Sequence, residues 1–508
     1  MAEFSTNPTG DGVSVVLLYW IEEELRRRGP PDGASVERTI WELLHAAQLP
    51  TALAGRFPTR ADDIAFILSD RAVLGSIVEA ALERWRGGPG APVLRIAPRP
   101  LRPRQAAALL GDGINLGLIF GAEKVYFQDT VHALHTDESR SRSCGDRRVN
   151  VLGVHVRWRT ADGVAAKRCL LVEDTGVVKE VRFDTPVPLH IVQTLHLPVR
   201  GEIELHRSIS DHYERLGVAQ LNPYPASQRA DDKAHTHRLW SVASPPIPSP
   251  KAAPVPRGSS IFDALDAMGP SPFVFVQPNT GTEGRKAARY PTHARGAICQ
   301  FISEEIWPQD DAIVREERGD LRYREVGSAH PSARGFLRFA LRVNVAWNGT
   351  GFVAESGFVQ VAEHDEHPVA SRGRNGSVVS TRQGLGNLWY AQGTGWRRYV
   401  PTPEDLACMK DAAVRAACAL NADLREADYL KLVGVDLLLE VGSDGRMAPL
   451  VLEANPRPAG LAQSWMLDDP SIPGVSCGLL QGIKRAFNYH SAPQLSNGVL
   501  TQTLTRAS

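Results

Sequence analysis

The chain has 508 residues, with 57 Lys+Arg balanced by 57 Asp+Glu and therefore no formal net charge. A hydrophobic share of 43% and a charged share of 22% match a folded globular chain and exclude a disordered or fibrous one. The missing basic surplus argues against nucleic acid as a partner, and the length calls for two or three domains rather than one core.

The longest apolar run, Val13–Ile21, is far short of the roughly 20 residues that cross a bilayer. It also lacks a basic n-region and a small-residue cleavage site, so neither a membrane span nor a signal peptide is expected. Six scattered cysteines without CxxC spacing predict a reducing, cytoplasmic setting rather than a disulfide or zinc scaffold.

In chain order, residues 1–90 read as a helical extension. Val13–Arg28 ends at Gly29-Pro30-Pro31, a second helix follows Ser35, and a third stops at Gly87-Gly88-Pro89-Gly90. Trp20 and Trp41 there suit a core or a subunit interface, so these helices are candidates for pairing a homodimer. Residues 91–230 alternate strands and helices and predict an α/β domain. Strands are expected at Val93–Ile96, Lys124–Gln128, Asn150–Arg159, Lys167–Glu173 and Val218–Leu221, and helices at Arg104–Gly111 and Ile209–Leu216. Thr160–Gly163 is a hairpin turn. A proline-rich connector, Pro245–Pro256, is extended and exposed. Beyond it come helix Ile261–Met268, strand Phe273–Val276 and the alternating strand Phe336–Trp347. Helix Glu404–Leu424 starts from a Thr402 cap with Pro403 in its first turn. Strands Val433–Glu440 and Pro449–Ala454 flank the turn Gly442–Gly445.

That last hairpin carries the clearest chemistry. Pairing through one turn brings Asp436, at the start of one strand, beside Glu453 and Asn455, at the end of the other. Glu453 and Asn455 are two apart and share a strand face. Two carboxylates and an amide oxygen without His or Cys suit Mg²⁺, which completes its shell with water and phosphate oxygens, and do not suit zinc. Arg457 adds a planar fork for a phosphate or carboxylate. A second segment, Phe273–Gly284, runs from a buried strand into a loop where Thr280, Gly281, Thr282 and Gly284 can turn donors toward an anion. It is neither a Walker A loop nor a dinucleotide fingerprint. Lys233, in Ala230–Thr236, opens a helix after Asn222-Pro223. His235 and His237 beside it read as helix surface, with no third ligand in view. Trp389-Tyr390 and Ser371–Gly376 are candidates for holding an acceptor substrate.

The order of these segments resembles the ATP-grasp superfamily, over roughly residues 91–490, and within it the carboxylate–amine ligases such as D-alanine–D-alanine ligases and natural-product peptide ligases. The segments are Leu216–Asn222 before Asp232-Lys233, then Phe273–Gly284, then Asp436 with Glu453-x-Asn455-x-Arg457. The resemblance implies an ATP-grasp domain of α+β lobes over 231–508, with a small nucleotide lobe at 233–305 and a large lobe with the metal site at 306–490. An α/β pre-grasp domain at 91–230 and the helical extension precede it.

The resemblance further implies ATP and Mg²⁺ as cofactors, with Lys233 on phosphate and Asp436, Glu453 and Asn455 on metal. Arg457 falls at a position often basic in these enzymes. The second phosphate lysine of the family falls at Gln277, with Lys286 as its nearest replacement. Adenine and ribose are assigned to the segment Cys299-Gln300-Phe301-Ile302, with Glu304 or Glu305 as the ribose candidate. Gly434 stands where relatives often place an arginine, for which Arg342 is the substitute. The implied activity is ATP-dependent joining of an amino acid or peptide carboxylate to an amine through an acyl phosphate, forming a peptide bond in natural-product biosynthesis. The alternatives are a non-peptide product, phosphorylation alone, or a nucleotide-binding protein without catalysis.

Overall fold

The computed structural model describes residues 95–96, 100–120, 127–141, 147–155, 158–160, 162–172, 178–194, 202–280, 286–324, 335–364, 376–457 and 477–490. The expected helices of residues 1–90, with Trp20 and Trp41, lie outside the described residues, as do Gly281, Thr282, Gly284 and Ser371–Asn375. The chain divides into two compact units, Met1–Gln220 and Leu221–Ser508. Among the described residues no helix is long and apolar enough to cross a membrane.

The first unit is an α/β domain around a seven-stranded sheet. Its elements are β1 (Arg95–Ile96), α1 (Pro103–Leu110), β2 (Ile114–Phe120), α2 (Phe127–Ser141), β3 (Val149–His155), β4 (Ala165–Val172), β5 (Val178–Pro188), β6 (Ile191–Thr194), α3 (Glu202–Arg215) and β7 (Ala219–Gln220). The strand order is β1-β5-β4-β3-β2-β6-β7, with β3, β2, β6 and β7 parallel to one another and β4 antiparallel to β3. Phe127-Gln128, expected at the end of a strand, instead begins α2. Val131 and Leu134 are fully buried in α2, a three-residue spacing that serves a helix face and no strand.

The second unit opens with α4 (Tyr224–Asp231) and α5 (Lys233–Val242). It therefore starts ahead of the boundary read at residue 231, and Asn222 shows why. Its Nδ2 donates to the Leu432 and Pro456 carbonyls at 2.7 and 2.5 Å, and its Oδ1 accepts from the Lys431 and Leu432 amides. Ala226 and Ala230 of α4 then join the main core. A four-stranded sheet follows, built from β8 (Ala252–Val255), α6 (Ile261–Ala267), β9 (Phe273–Pro278), β10 (Ala288–Pro291), α7 (Arg295–Phe301, continuing as a π-helical turn Ile302–Ile306) and β11 (Ala312–Glu316). Its order is β10-β9-β11-β8, so part of the proline-rich connector is an edge strand, where Pro254 costs the ladder little. Val274, Val276 and Val314 point to one face and bury against Ile261, Leu265, Ile298 and Ile302. Phe275, Gln277, Ile313 and Arg315 occupy the other face.

The remaining elements are β12 (Arg322–Tyr323), β13 (Phe339–Trp347), β14 (Phe352–Val361), β15 (Ser377–Ser380), α8 (Thr381–Gly386), β16 (Leu388–Gln392), β17 (Gly395–Tyr399), α9 (Pro403–Asn421), β18 (Leu432–Val441), β19 (Met447–Asn455) and α10 (Cys477–His490). Strands β15-β14-β13-β18-β19 form a five-stranded antiparallel sheet. Leu341, Val343, Val345, Val435, Leu437, Leu439 and Val451 turn to the face covered by α9, where Ala412, Ala413, Ala416 and Ala417 allow close approach. Thr402 and Asp405 cap α9 reciprocally. The opposite face of this sheet carries Arg342, Asn344, Asp436 and Glu453.

Candidate active site

Register decides whether the two acids of the β18–β19 hairpin meet. From the turn upward, Val441 pairs with Met447 and the ladder continues to Leu437 opposite Val451. One more regular step would set Asp436 opposite Leu452 and turn Glu453 toward the core. Instead Leu452 is an extra residue on β19, and Asp436 pairs with Glu453, Val435 with Ala454 and Gly434 with Asn455. This bulge puts both carboxylates and the amide on one face.

Arg342 lies opposite Asp436 on β13 and grips it in two hydrogen bonds, Nε to Oδ1 at 2.5 Å and Nη2 to Oδ2 at 2.7 Å. Gly434 makes room for this grip: a Cβ there would lie 2.8 Å from Arg342 Cδ. Gly357 lets β14 approach from the other side, since a Cβ there would sit 1.7 Å from the Arg342 carbonyl oxygen. The Arg342 guanidinium thus reaches Asp436 across the ladder, over Gly434.

Burial pushes the Asp436 carboxyl above the ordinary carboxylate range despite Arg342, and a hydrogen bond joins it to Glu453. Burial also acts on Glu453, but Lys233, Arg315 and Arg342 outweigh it and hold this carboxyl below its ordinary range. Asn455 Nδ2 donates to Asp436 Oδ2 and to the Gly434 carbonyl, both at 3.3 Å. Its Oδ1 accepts no hydrogen bond among the described residues. Two carboxylates in contact, Asp436 buried and Glu453 partly buried, are relieved by a shared proton or by a cation between them. Among the described residues no three His, Cys, Asp or Glu side chains gather as a metal site. Two carboxylates with an amide side chain beside them are a donor set that suits a hard divalent cation taking its other oxygens from water or phosphate.

Lys233, 7% exposed, begins α5. Asn279, just past β9, fixes that helix start: its carbonyl accepts from the Lys233 amide and Nζ, its Oδ1 accepts from the Ala234 amide at 2.9 Å, and its Nδ2 donates to Asp232. Asn279 is therefore a clasp between the end of β9 and the start of α5. Burial lowers the Lys233 pKa, and Glu453, Asp231 and Asp310 oppose that shift.

The structure gives several expected site residues other partners. Arg457 is buried and paired in two hydrogen bonds with Asp231, at 2.9 and 2.5 Å, so its fork is spent within the protein. Thr280 donates its amide and hydroxyl to Asp310 at 2.7 and 2.8 Å. Lys286 pairs with Glu305 and donates to its carbonyl. Gln300, Phe301 and Ile302 lie on α7 and its π-helical continuation, not on a strand, because Ile298, Ile302 and Ile306 recur at helical spacing and bury against the four-stranded sheet. His237 bonds the Pro250 carbonyl and His235 bonds Arg229, which accounts for both without a metal. Trp389 packs edge-on against Phe336 and donates to the Arg324 carbonyl.

One buried residue escaped the sequence reading. Arg315 of β11, 5% exposed, sits two residues beyond Ile313, which pairs with Gln277, and on the same face. A lone arginine interrupting Ala-Ile-Val before Glu316 was the available signal.

No family model and no curated protein matches the chain. Among solved structures it is similar to D-cycloserine synthetase DcsG, at 16% identity and a TM-score of 0.42, over 73% of this chain and 99% of that one. It is similar to the D-alanine-D-alanine ligase from Coxiella burnetii at 13% and 0.44, over 78% and 98%. An L-amino acid ligase from Bacillus licheniformis is similar at 11% and 0.40, over 73% and 74%. The likeness is slight in both sequence and superposition.

Proposed function

We propose that this protein is an ATP-dependent ligase of the ATP-grasp kind that joins a carboxylate to an amine. The observation that carries the reading is the carboxylate pair of Asp436 and Glu453, set beside Asn455 on one sheet face, with Asp436 gripped by Arg342 and Glu453 within electrostatic reach of the buried cations Lys233, Arg315 and Arg342. Asp436, Glu453 and Asn455 would hold Mg²⁺, which neutralises charge on the transferring phosphoryl oxygens. Arg342 keeps Asp436 oriented and ionised, and Lys233 supplies a buried positive charge for phosphate oxygens.

The chemical difficulty is that a carboxylate does not accept an amine at neutral pH. Attack of its oxygen on the γ-phosphorus of ATP releases ADP and leaves an acyl phosphate. Attack of the amine on the acyl carbon then expels phosphate, and the amine nitrogen loses a proton. The protein contributes position, charge compensation and exclusion of water rather than a covalent nucleophile. An amino acid or short peptide is the substrate class that we infer, with a peptide bond as the product. The test is ADP release from ATP on adding amino acids or dipeptides in turn, with product masses. A condensation product supports the ligase, a mass gain of one phosphate makes it a kinase, and ATP turnover by none of them removes the reading.

A further inference from the structure

Glu453 of the carboxylate pair is within electrostatic reach of a buried cation with no hydrogen-bonded partner among the described residues. The Arg315 guanidinium has five N–H donors and no acceptor of its own, yet among the described residues its side chain makes no hydrogen bond and no ion pair. The carboxylate whose charge it feels is Glu453, and that carboxylate also answers to Lys233 and Arg342. Lys233 and Arg315 meanwhile raise each other's cost of being charged. With Asp436 committed to Arg342, two buried cations are left sharing Glu453. A buried guanidinium without an acceptor is costly, and a multiply charged oxyanion is the ligand that relieves it.

The position of Arg315 says which oxyanion. It lies on the face of the four-stranded sheet opposite Ile298 and Ile302, diagonal to Gln277 and within electrostatic reach of Lys233 and Glu453. Gln277, where a lysine is missing, has no side-chain hydrogen bond among the described residues. We propose that Arg315 is a phosphate-binding residue, which takes the terminal phosphate oxygens of the nucleotide from β11 as a lysine at Gln277 would take them from β9. This rests on the nucleotide reading above. Arg315 and Arg342 then form a pattern: each cation missing from its expected place is supplied by the neighbouring strand.

The experiment uses the full chain and three variants: Arg315→Met, Arg315→Lys, and Arg315→Met combined with Gln277→Lys. Calorimetry measures binding of inorganic tripolyphosphate, Mg-ATP and AMP, and thermal melting is followed without ligand. Arg315→Met is expected to weaken tripolyphosphate and ATP about tenfold or more while leaving AMP unchanged. Without ligand it should melt at or above the wild-type temperature, because an unpaired buried charge is gone; a purely structural arginine would lower it. Arg315→Lys and the relocated lysine should each recover part of the affinity.

Equal binding of ATP by wild type and Arg315→Met overturns the proposal and leaves the nucleotide reading standing. An equal loss for AMP, or a raised KM for the carboxylate substrate with phosphate binding intact, also overturns it. Arg315-dependent binding of tripolyphosphate without any nucleotide binding keeps the anion site and removes the nucleotide reading. Binding of none of the probes by the wild type removes both.

Discussion

On the five-stranded sheet, the acids of the site lie within one hairpin, Asp436 to Asn455, joined by a tight turn. On the four-stranded sheet, Gln277 and the cation next to it, Arg315, belong to strands separated by β10 and α7. The first region builds its chemistry from local sequence, the second from pairing between distant segments. Arg342 bridges the two cases, because it serves the local hairpin from a strand almost a hundred positions away, |i−j| being 94. Acids can be clustered by one turn. The cations that balance them have longer side chains and tolerate displacement to a neighbouring strand, provided that small residues such as Gly434 leave the space.

The sharpest way to break this contrast is to remove one member of the buried Arg342–Asp436 pair. Asp436→Asn leaves a guanidinium that cannot shed its proton, and should cost about 3–5 kcal/mol in urea unfolding. Arg342→Met should cost less, since Asp436, already pushed up by burial, can take a proton instead. Equal costs would show that the pair does not behave as a desolvated salt bridge.

Asn222→Ala comes next. It removes four hydrogen bonds that tie the start of the second unit to β18 and the Pro456 carbonyl, for an expected loss of about 2–4 kcal/mol in the same measurement. A smaller effect is expected from Gly434→Ala, about 1–3 kcal/mol, because the added methyl must displace Arg342. Its ADP release should fall further than its stability does; a fall in stability alone would mean that Arg342 can shift without consequence for the site.

The smallest effect concerns pH. Burial raises the Glu317 carboxyl, but the hydrogen bonds from Arg289 and the Arg338 charge outweigh it, so its pKa is lowered on folding. A lowered folded pKa adds stability above the unfolded value of about 4.3, and that stability is lost as pH falls through the folded value. The drop in melting temperature from pH 5 to pH 3 should therefore be slightly shallower in Glu317→Gln. A steeper drop would contradict the assignment.

The hairpin was legible because its alternation, turn and interrupting acids all fall in one window, and α9 because Thr402, Pro403 and a long apolar face agree. The bulge at Leu452 was not legible, although it decides whether Glu453 faces Asp436, since a register shift leaves no mark in composition. The Gln300–Ile302 stretch is ambiguous for a related reason: three residues fit a strand as well as a helix until Ile298 and Ile306 are read with them. Lys233 was singled out from its order with the Phe273–Gly284 segment and the acidic hairpin, but Arg457 was given a free fork because Asp231 lies 226 residues away in sequence. The partners of a charge, more than the charge itself, escape a linear reading.

The most direct measurement is electron paramagnetic resonance of Mn²⁺, standing in for Mg²⁺, titrated with ATP into wild-type protein and Glu453→Gln. Wild type should immobilise one Mn²⁺ in an ATP-dependent manner, and Glu453→Gln should not, while melting at nearly the wild-type temperature. Immobilisation of Mn²⁺–ATP by Glu453→Gln at wild-type strength would show that the hairpin acids do not hold the cation.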